Sequence, residues 1–197
     1  IAQGDYPVTP GDVFSLSYQT GRQNASIRTV VLEDYTVDLG IVGVTNAQGL
    51  TFPELRREVG RLVQNAYPDS EYQFTLQSIG VFEVHAYGAI PTSRRVSAWA
   101  NTRLADLYES LSASYTSVRR VRLHRRDGSV RNYDLFPALR FGDVGENPRL
   151  RPGDRVEFTT VGPVVRVRGE VLRPGQYELA RGESLGTVIQ DFAGGFT

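Results

Sequence analysis

Val164-Val165-Arg166-Val167-Arg168-Gly169-Glu170-Val171-Leu172-Arg173-Pro174-Gly175-Gln176-Tyr177-Glu178-Leu179 lines up with residues 81–96, Val81-Phe82-Glu83-Val84-His85-Ala86-Tyr87-Gly88-Ala89-Ile90-Pro91-Thr92-Ser93-Arg94-Arg95-Val96. Val84 falls on Val167, Ala86 on Gly169, Pro91 on Pro174 and Val96 on Leu179, an offset of 174 − 91 = 83 residues. After a slip of two residues, Leu104, Leu107, Tyr108 and Leu111 meet Leu185, Val188, Ile189 and Phe192, so an apolar stripe at helical spacing recurs as well. A unit of two strands and a helix therefore occurs twice. A second copy as long as the first would run on for roughly 40 residues past Thr197. The chain is expected to stop inside that module, just after Gly194 and Gly195, which suit a helix C-terminus.

Outward from this repeat the elements are regular. Pro10-Gly11-Asp12 is a turn, and Phe14, Leu16 and Tyr18 alternate behind it as a half-buried strand does. Ile27 to Leu32 and Thr36 to Val44 read as two more strands, with turns at Glu33-Asp34 and Asn46 to Gly49. Thr51 with Glu54 three residues on forms a capping box, and Leu50 and Leu55 flank it as a hydrophobic staple. Leu55, Val59, Leu62 and Val63 then mark one apolar stripe of a helix that Pro68 ends. Strands return at Phe74 to Leu76 and at Val81 to Tyr87, with a break at Gly88 to Pro91. A short helix follows Thr102. Asp127-Gly128 between Val118 to Arg126 and Val130 to Leu135 predicts a hairpin. After Pro137 the chain is expected to loosen until Leu150-Arg151-Pro152-Gly153-Asp154 leads into a strand at Val156 to Thr160.

Composition removes whole classes of chemistry. The 197 residues hold 22 basic groups, all arginine, against 22 acids, a formal net charge of zero that argues against a nucleic-acid partner or a polybasic membrane surface. Without lysine there is neither Schiff-base chemistry nor a phosphate-loop lysine. Without cysteine there is no thiolate catalysis, zinc ribbon, iron–sulfur cluster or disulfide, and the redox compartment stays open. No apolar run approaches the 18 or so residues of a spanning helix. Ile1-Ala2-Gln3-Gly4-Asp5 is no secretion signal, so a soluble, processed or trimmed piece is expected. The charge is unevenly spread: residues 1–80 carry 5 Arg and 9 acids, residues 81–160 carry 13 and 9, and residues 161–197 carry 4 of each. The net charges of −4, +4 and 0 suit head-to-tail association or an anion-binding module, and equally a set of solvated strand faces.

A hairpin, a helix and further strands in about 80 residues make a small α+β module in which a sheet wraps one helix, the order of a β-grasp. Val167-Arg168-Gly169-Glu170-Val171, Pro174-Gly175-Gln176-Tyr177, Gly182-Glu183-Ser184-Leu185 and Ala193-Gly194-Gly195 resemble the soluble-ligand-binding β-grasp (SLBB) repeat. Pro10-Gly11-Asp12-Val13, the helix after Gly49-Leu50-Thr51, and Leu150-Arg151-Pro152-Gly153-Asp154-Arg155-Val156 resemble the bacterial polysaccharide biosynthesis/export family of the outer envelope. Where that family has a Gly-Glu-Val-like turn, the first repeat has Ala86-Tyr87-Gly88-Ala89-Ile90. It also has Ser112-Ala113-Ser114 in place of Ala-Gly-Gly. The resemblance implies an α+β fold with an export-type domain at 1–80, a first β-grasp repeat at 81–160 and the start of a second at 161–197. It further implies a non-enzymatic, cofactor-free subunit of a polysaccharide-export apparatus, in the periplasm and associated with the outer membrane. Such a subunit would form a homo-oligomeric ring that serves as conduit or scaffold, with an inner-membrane export partner. The rival reading is a monomeric periplasmic β-grasp module that binds a soluble glycan or a partner protein.

The residues themselves offer no catalytic set: there is no nucleotide-binding glycine pattern, no helical histidine pair and no serine in a nucleophile elbow. His85, opposite Val84 on its strand, reads as an ordinary strand residue. Arg120, Arg122, His124 and Arg126 alternate onto one face of their strand while Val121 and Leu123 take the other. Such a stripe suits carboxylates or phosphates, as in an acidic glycan, a contact between subunits, or a solvated face. Three guanidinium groups on one side of a strand repel one another, so an acidic group is expected nearby. Trp99, between a strand and a helix, reads as core or lid packing first and as a contact surface second.

Overall fold

The computed structural model describes residues 4–21 and 23–197, so the reading of Ile1-Ala2-Gln3 as no signal lies outside the described residues. Contacts divide the chain into two units: one comprises the residues up to Val84 with Val96–Thr102 and Arg149–Gly153, the other His85–Arg95, Arg103–Pro148 and Asp154–Thr197. Secondary structure is of both kinds throughout, an α+β fold. No helix among the described residues is long and apolar enough to cross a membrane.

In the first unit the alternation of Phe14, Leu16 and Tyr18 builds β1 (Val13–Thr20), the centre of an antiparallel sheet between β2 (Gln23–Val30) and β5 (Tyr72–Ser78). The helix α1 (Phe52–Ala66) begins at the capping box, where the Thr51 amide and hydroxyl both donate to Glu54 Oε2 at 2.8 and 2.7 Å. Its stripe of Leu55, Val59 and Val63 is buried in the same core as Phe14, Leu16 and Phe74. Phe14, Phe74 and Phe52 form one ring cluster, with Phe14 at centroid distances of 4.8 and 5.7 Å from Phe74 and Phe52 and these two 6.0 Å apart. Each such buried side chain contributes roughly 2 to 3 kcal/mol by removal from water. Trp99 packs against this core, which is the packing role its position predicts. The expected strand over Thr36 to Val44 is instead two short ones, β3 (Thr36–Asp38) and β4 (Val44–Asn46), around a 3₁₀ turn at Gly40–Val42. Gly40 and Gly43 take φ of 60° and 133°, and Asp38 Oδ1 accepts from the Gly40 amide at 2.8 Å, so the chain folds back where a continuous strand would need ordinary φ.

The second unit carries most of a five-stranded sheet ordered β7-β6-β10-β8-β9, built from β6 (Val81–Gly88), β7 (Arg94–Trp99), β8 (Thr116–His124), β9 (Val130–Tyr133) and β10 (Arg155–Thr160). The last strand, β10, runs parallel to the first, β6, and antiparallel to β8. First and last strands paired in the middle of a sheet, with a helix between the two hairpins, is the β-grasp arrangement. Helix α2 (Leu104–Leu111) buries Leu104, Leu107 and Leu111, and its Tyr108 ring lies 6.2 Å from Phe158 of β10. Gly88 sits where β10 comes closest. It has φ of 94°, and a Cβ there would stand 2.2 Å from the Phe158 carbonyl oxygen.

The hairpin between β8 and β9 turns through Arg126-Asp127-Gly128, closed by a Gly128 amide to Arg125 carbonyl bond of 3.1 Å and with Gly128 at φ 84°. Asp-Gly thus serves a three-residue loop rather than a two-residue one. The expected loose stretch after Pro137 contains a helix, α3 (Phe136–Phe141), started by that proline and stopped by Gly142 in the left-handed region. Then β11 (Val164–Val167) and β12 (Gly175–Glu178) pair as an antiparallel hairpin, followed by a single turn α4 (Leu185–Thr187) that widens into a π-helical turn over Val188–Phe192. Residues 104–111 displaced by 81 are residues 185–192, so hairpin and helix recur in the order and at the spacing that the repeat predicts.

Both Pro-Gly-Asp turns end on a buried aspartate at the mouth of a strand. Asp12 Oδ1 accepts from the Tyr6 hydroxyl at 2.7 Å and the Gly80 amide at 2.6 Å, and its Oδ2 accepts from the Thr9 amide at 2.8 Å. Burial pushes the Asp12 carboxyl up despite these three bonds. Asp154, equally buried, accepts from Arg125 Nη1 at 2.6 Å. Replacing Asp12 by alanine leaves three buried donors without an acceptor and is expected to lower stability by about 3 kcal/mol, read as a shift of the denaturation midpoint at unchanged slope.

Candidate functional site

The parallel β6–β10 pairing brings side chains from three strands onto one sheet face. Val84 and Ala86 are buried beneath β6, so His85 and Tyr87 point away from the core. Val156 and Phe158 do the same for Arg155 and Glu157 of β10, and Val121 and Leu123 for Arg120, Arg122 and His124 of β8. Register aligns these residues as two rows, His85–Arg155–His124 and Tyr87–Glu157–Arg122. The second row is tied by Arg122 Nη1 to Glu157 Oε1 at 3.0 Å. His124 Nε2 joins the rows, lying 3.2 Å from Glu157 Oε2 and 3.3 Å from the Tyr87 hydroxyl. The Tyr87 ring stacks on His85 at 5.3 Å and carries the Arg155 guanidinium at 5.2 Å. It is thus held by three neighbours.

Of the four residues marked by alternation, Arg120, Arg122 and His124 share this face. Arg126 does not. β8 ends at His124, and Arg126 is exposed at the tip of the hairpin loop, because the turn begins one residue earlier and breaks the period of two. The acidic groups that the stripe calls for are supplied within the chain. Glu157 lies between Arg122 and His124, and Glu178 Oε1 lies 3.9 Å from Arg120 Nε, whose Nη2 donates to the Thr160 carbonyl at 2.9 Å. His85, Tyr87, Arg155 and Glu157 are not legible as site residues along their own strands. The β-grasp order places the odd positions of β6 and β10 beside the even positions of β8, and only that order reveals them.

Beneath the opposite face lies a residue that the alternation assigns to the core side and that is nonetheless charged. Arg119 is buried. Its Nε donates to Asp134 at 2.7 Å, its Nη1 to the Glu178 carbonyl at 3.0 Å, and its two terminal nitrogens to the two oxygens of Glu183 at 3.1 and 2.9 Å. The guanidinium also lies over the rings of Phe192 and Phe136, at 4.9 and 5.4 Å from their centroids. The repeated hairpin and helix are therefore fastened to the β8–β9 hairpin through one planar fork. Burial opposes ionisation of Glu183, but the Arg119 fork and the Ala180 amide outweigh it and hold the carboxyl below its ordinary range.

A carboxylate depressed in the folded state stabilises fully above its unfolded value and loses that contribution as pH falls through the folded one. Glu183→Gln is expected to cost about 2 kcal/mol at about pH 7, and the gap from the parent should narrow as denaturation is repeated down to about pH 3.5. A gap independent of pH would show that the pair carries no charge.

No family model matches the chain, and no curated protein matches it.

Proposed function

We propose that this chain is a non-enzymatic subunit of a polysaccharide-export apparatus of the bacterial envelope, placed at the periplasm and outer membrane. It acts as part of an oligomeric ring that lines or braces the path of the glycan. The observation that carries the reading is the β-grasp sheet followed, 81 to 83 residues on, by a second hairpin and helix of the same order. Tandem β-grasp modules behind a Pro-Gly-Asp-led α+β domain are what the resemblance to the export and SLBB families implies. The mechanism is passive, resting on geometry and polar lining with no covalent step. An inner-membrane export protein would be its partner.

Charge supports association between copies. The first unit carries 7 arginines and 10 acids, net −3, and the second 15 and 12, net +3. A contact in which the first unit of one copy meets the second unit of the next is heterologous and closes into a ring when the rotation permits. The alternative, a monomeric module that binds a soluble glycan or partner, is favoured by the exposed arginines of the sheet face. Sedimentation of the full-length protein separates the two. The ring reading expects assemblies larger than a monomer at low salt that weaken at high salt. A monomer under both conditions leaves only the second.

A further inference from the structure

We infer that the outward face of the five-stranded sheet, centred on Tyr87, Arg122, His124 and Arg155, is a binding site for a carboxylated glycan. This deepens the export reading by naming the class of polymer, and rests on it for the polymer's biological source. The face carries hydrogen-bonding capacity that the fold leaves unused. A guanidinium offers five N–H donors in a fixed fork. Arg122 gives one to Glu157 and Arg120 one to the Thr160 carbonyl, and both side chains are about half exposed, 47% and 54%. The Arg155 side chain touches the Tyr87 ring and makes no hydrogen bond or ion pair with another described residue. Within the two rows the sole carboxylate, Glu157, is already held by Arg122 and His124. The face is therefore cationic, with paired donors free to meet a planar carboxylate edge-on.

The neighbouring groups select a sugar acid over other anions. A saccharide presents hydroxyls that both donate and accept, and this face mixes the two roles within one hydrogen-bonded cluster: the Tyr87 hydroxyl and the His124 imidazole beside the Glu157 oxygens. Tyr87 and His85 add ring surface preset by stacking, which costs little entropy to order on binding. A nucleic-acid backbone is disfavoured by the chain's zero net charge, since phosphate contacts need a broad basic surface. A protein partner would seek apolar anchors at the centre of its contact, and the centre here is charged.

The test uses the full chain, an oligogalacturonate as the acidic probe and a malto-oligosaccharide of the same length as the neutral one, with binding followed by calorimetry. Two variants are compared: Arg122→Gln with Arg155→Gln on the face, and Arg140→Gln with Arg168→Gln away from it, which removes the same charge. All four arginines are outside the core, so thermal melting should match the parent. The site predicts binding of the acidic probe alone, weakened about tenfold or more by the face variant and unchanged by the control. Absence of acidic binding, an equal loss in both variants, or loss of self-association with saccharide affinity intact would each overturn it, the last by making the face a subunit contact. A protein that sediments as a monomer yet passes this test fails the ring reading and keeps the site. A ring that binds no saccharide does the reverse.

Discussion

The parallel pairing of β6 with β10 is the constraint on which the second unit depends. It joins residues as far apart in sequence as His85 and Arg155, so its loop-closure cost is met only after both hairpins and α2 are in place. Three local features make it feasible. Asp154 is buried at the entrance of β10 and held by Arg125 at the far end of β8, so the strand is aligned before its first residue. The Asp154 carbonyl accepts the His85 amide, and the Phe158 carbonyl accepts the Ala89 amide, which fastens both ends of the pair. Gly88 lets the Phe158 carbonyl approach where any side chain would collide. Once the strands lie side by side, the alternation of side chains leaves no freedom: Val84, Ala86, Val156 and Phe158 go inward, and the His85, Tyr87, Arg155 and Glu157 cluster is assembled outside.

Arginine's planar fork explains how a chain without lysine builds both a buried clamp and an exposed receptor from one residue type. At Arg119 the fork is saturated by two carboxylates and a carbonyl and sandwiched by aromatic rings, the condition under which a buried charge is tolerated. Three positions later on the same strand, across the pleat, Arg122 has few partners and faces water. The difference is set by the strand's period of two, which turns Arg119 inward toward Glu183, Phe136 and Phe192 and Arg120, Arg122 and His124 outward.

Local chemistry was the legible part of the sequence. The capping box at Thr51 and Glu54, the stripe of Leu55, Val59 and Val63, the alternation in β1 and the recurrence of hairpin and helix all rest on contacts within a few residues or on direct comparison of two segments. What the pattern concealed has two physical origins. Gly40 and Gly43 break an apolar β-branched run with positive φ, and Pro137 starts a helix in a stretch whose composition resembles a loop. Both are backbone effects that override side-chain pattern. The candidate site was half visible: Arg120, Arg122 and His124 lie on one strand, whereas Tyr87, Arg155 and Glu157 reach it through pairings between distant strands. Arg119 carried a signal of its own, a charge at a position that alternates with Val121 and Leu123 and so must be buried with partners.

Backbone nuclear Overhauser contacts in the isotopically labelled protein report strand order without assuming any of it. The β-grasp arrangement predicts contacts from 155–160 to both 81–88 and 116–124, in parallel register on the first side and antiparallel on the second, and none between 81–88 and 116–124. Direct contacts between 81–88 and 116–124, with 155–160 at an edge, would contradict the fold and dissolve the sheet face built on it.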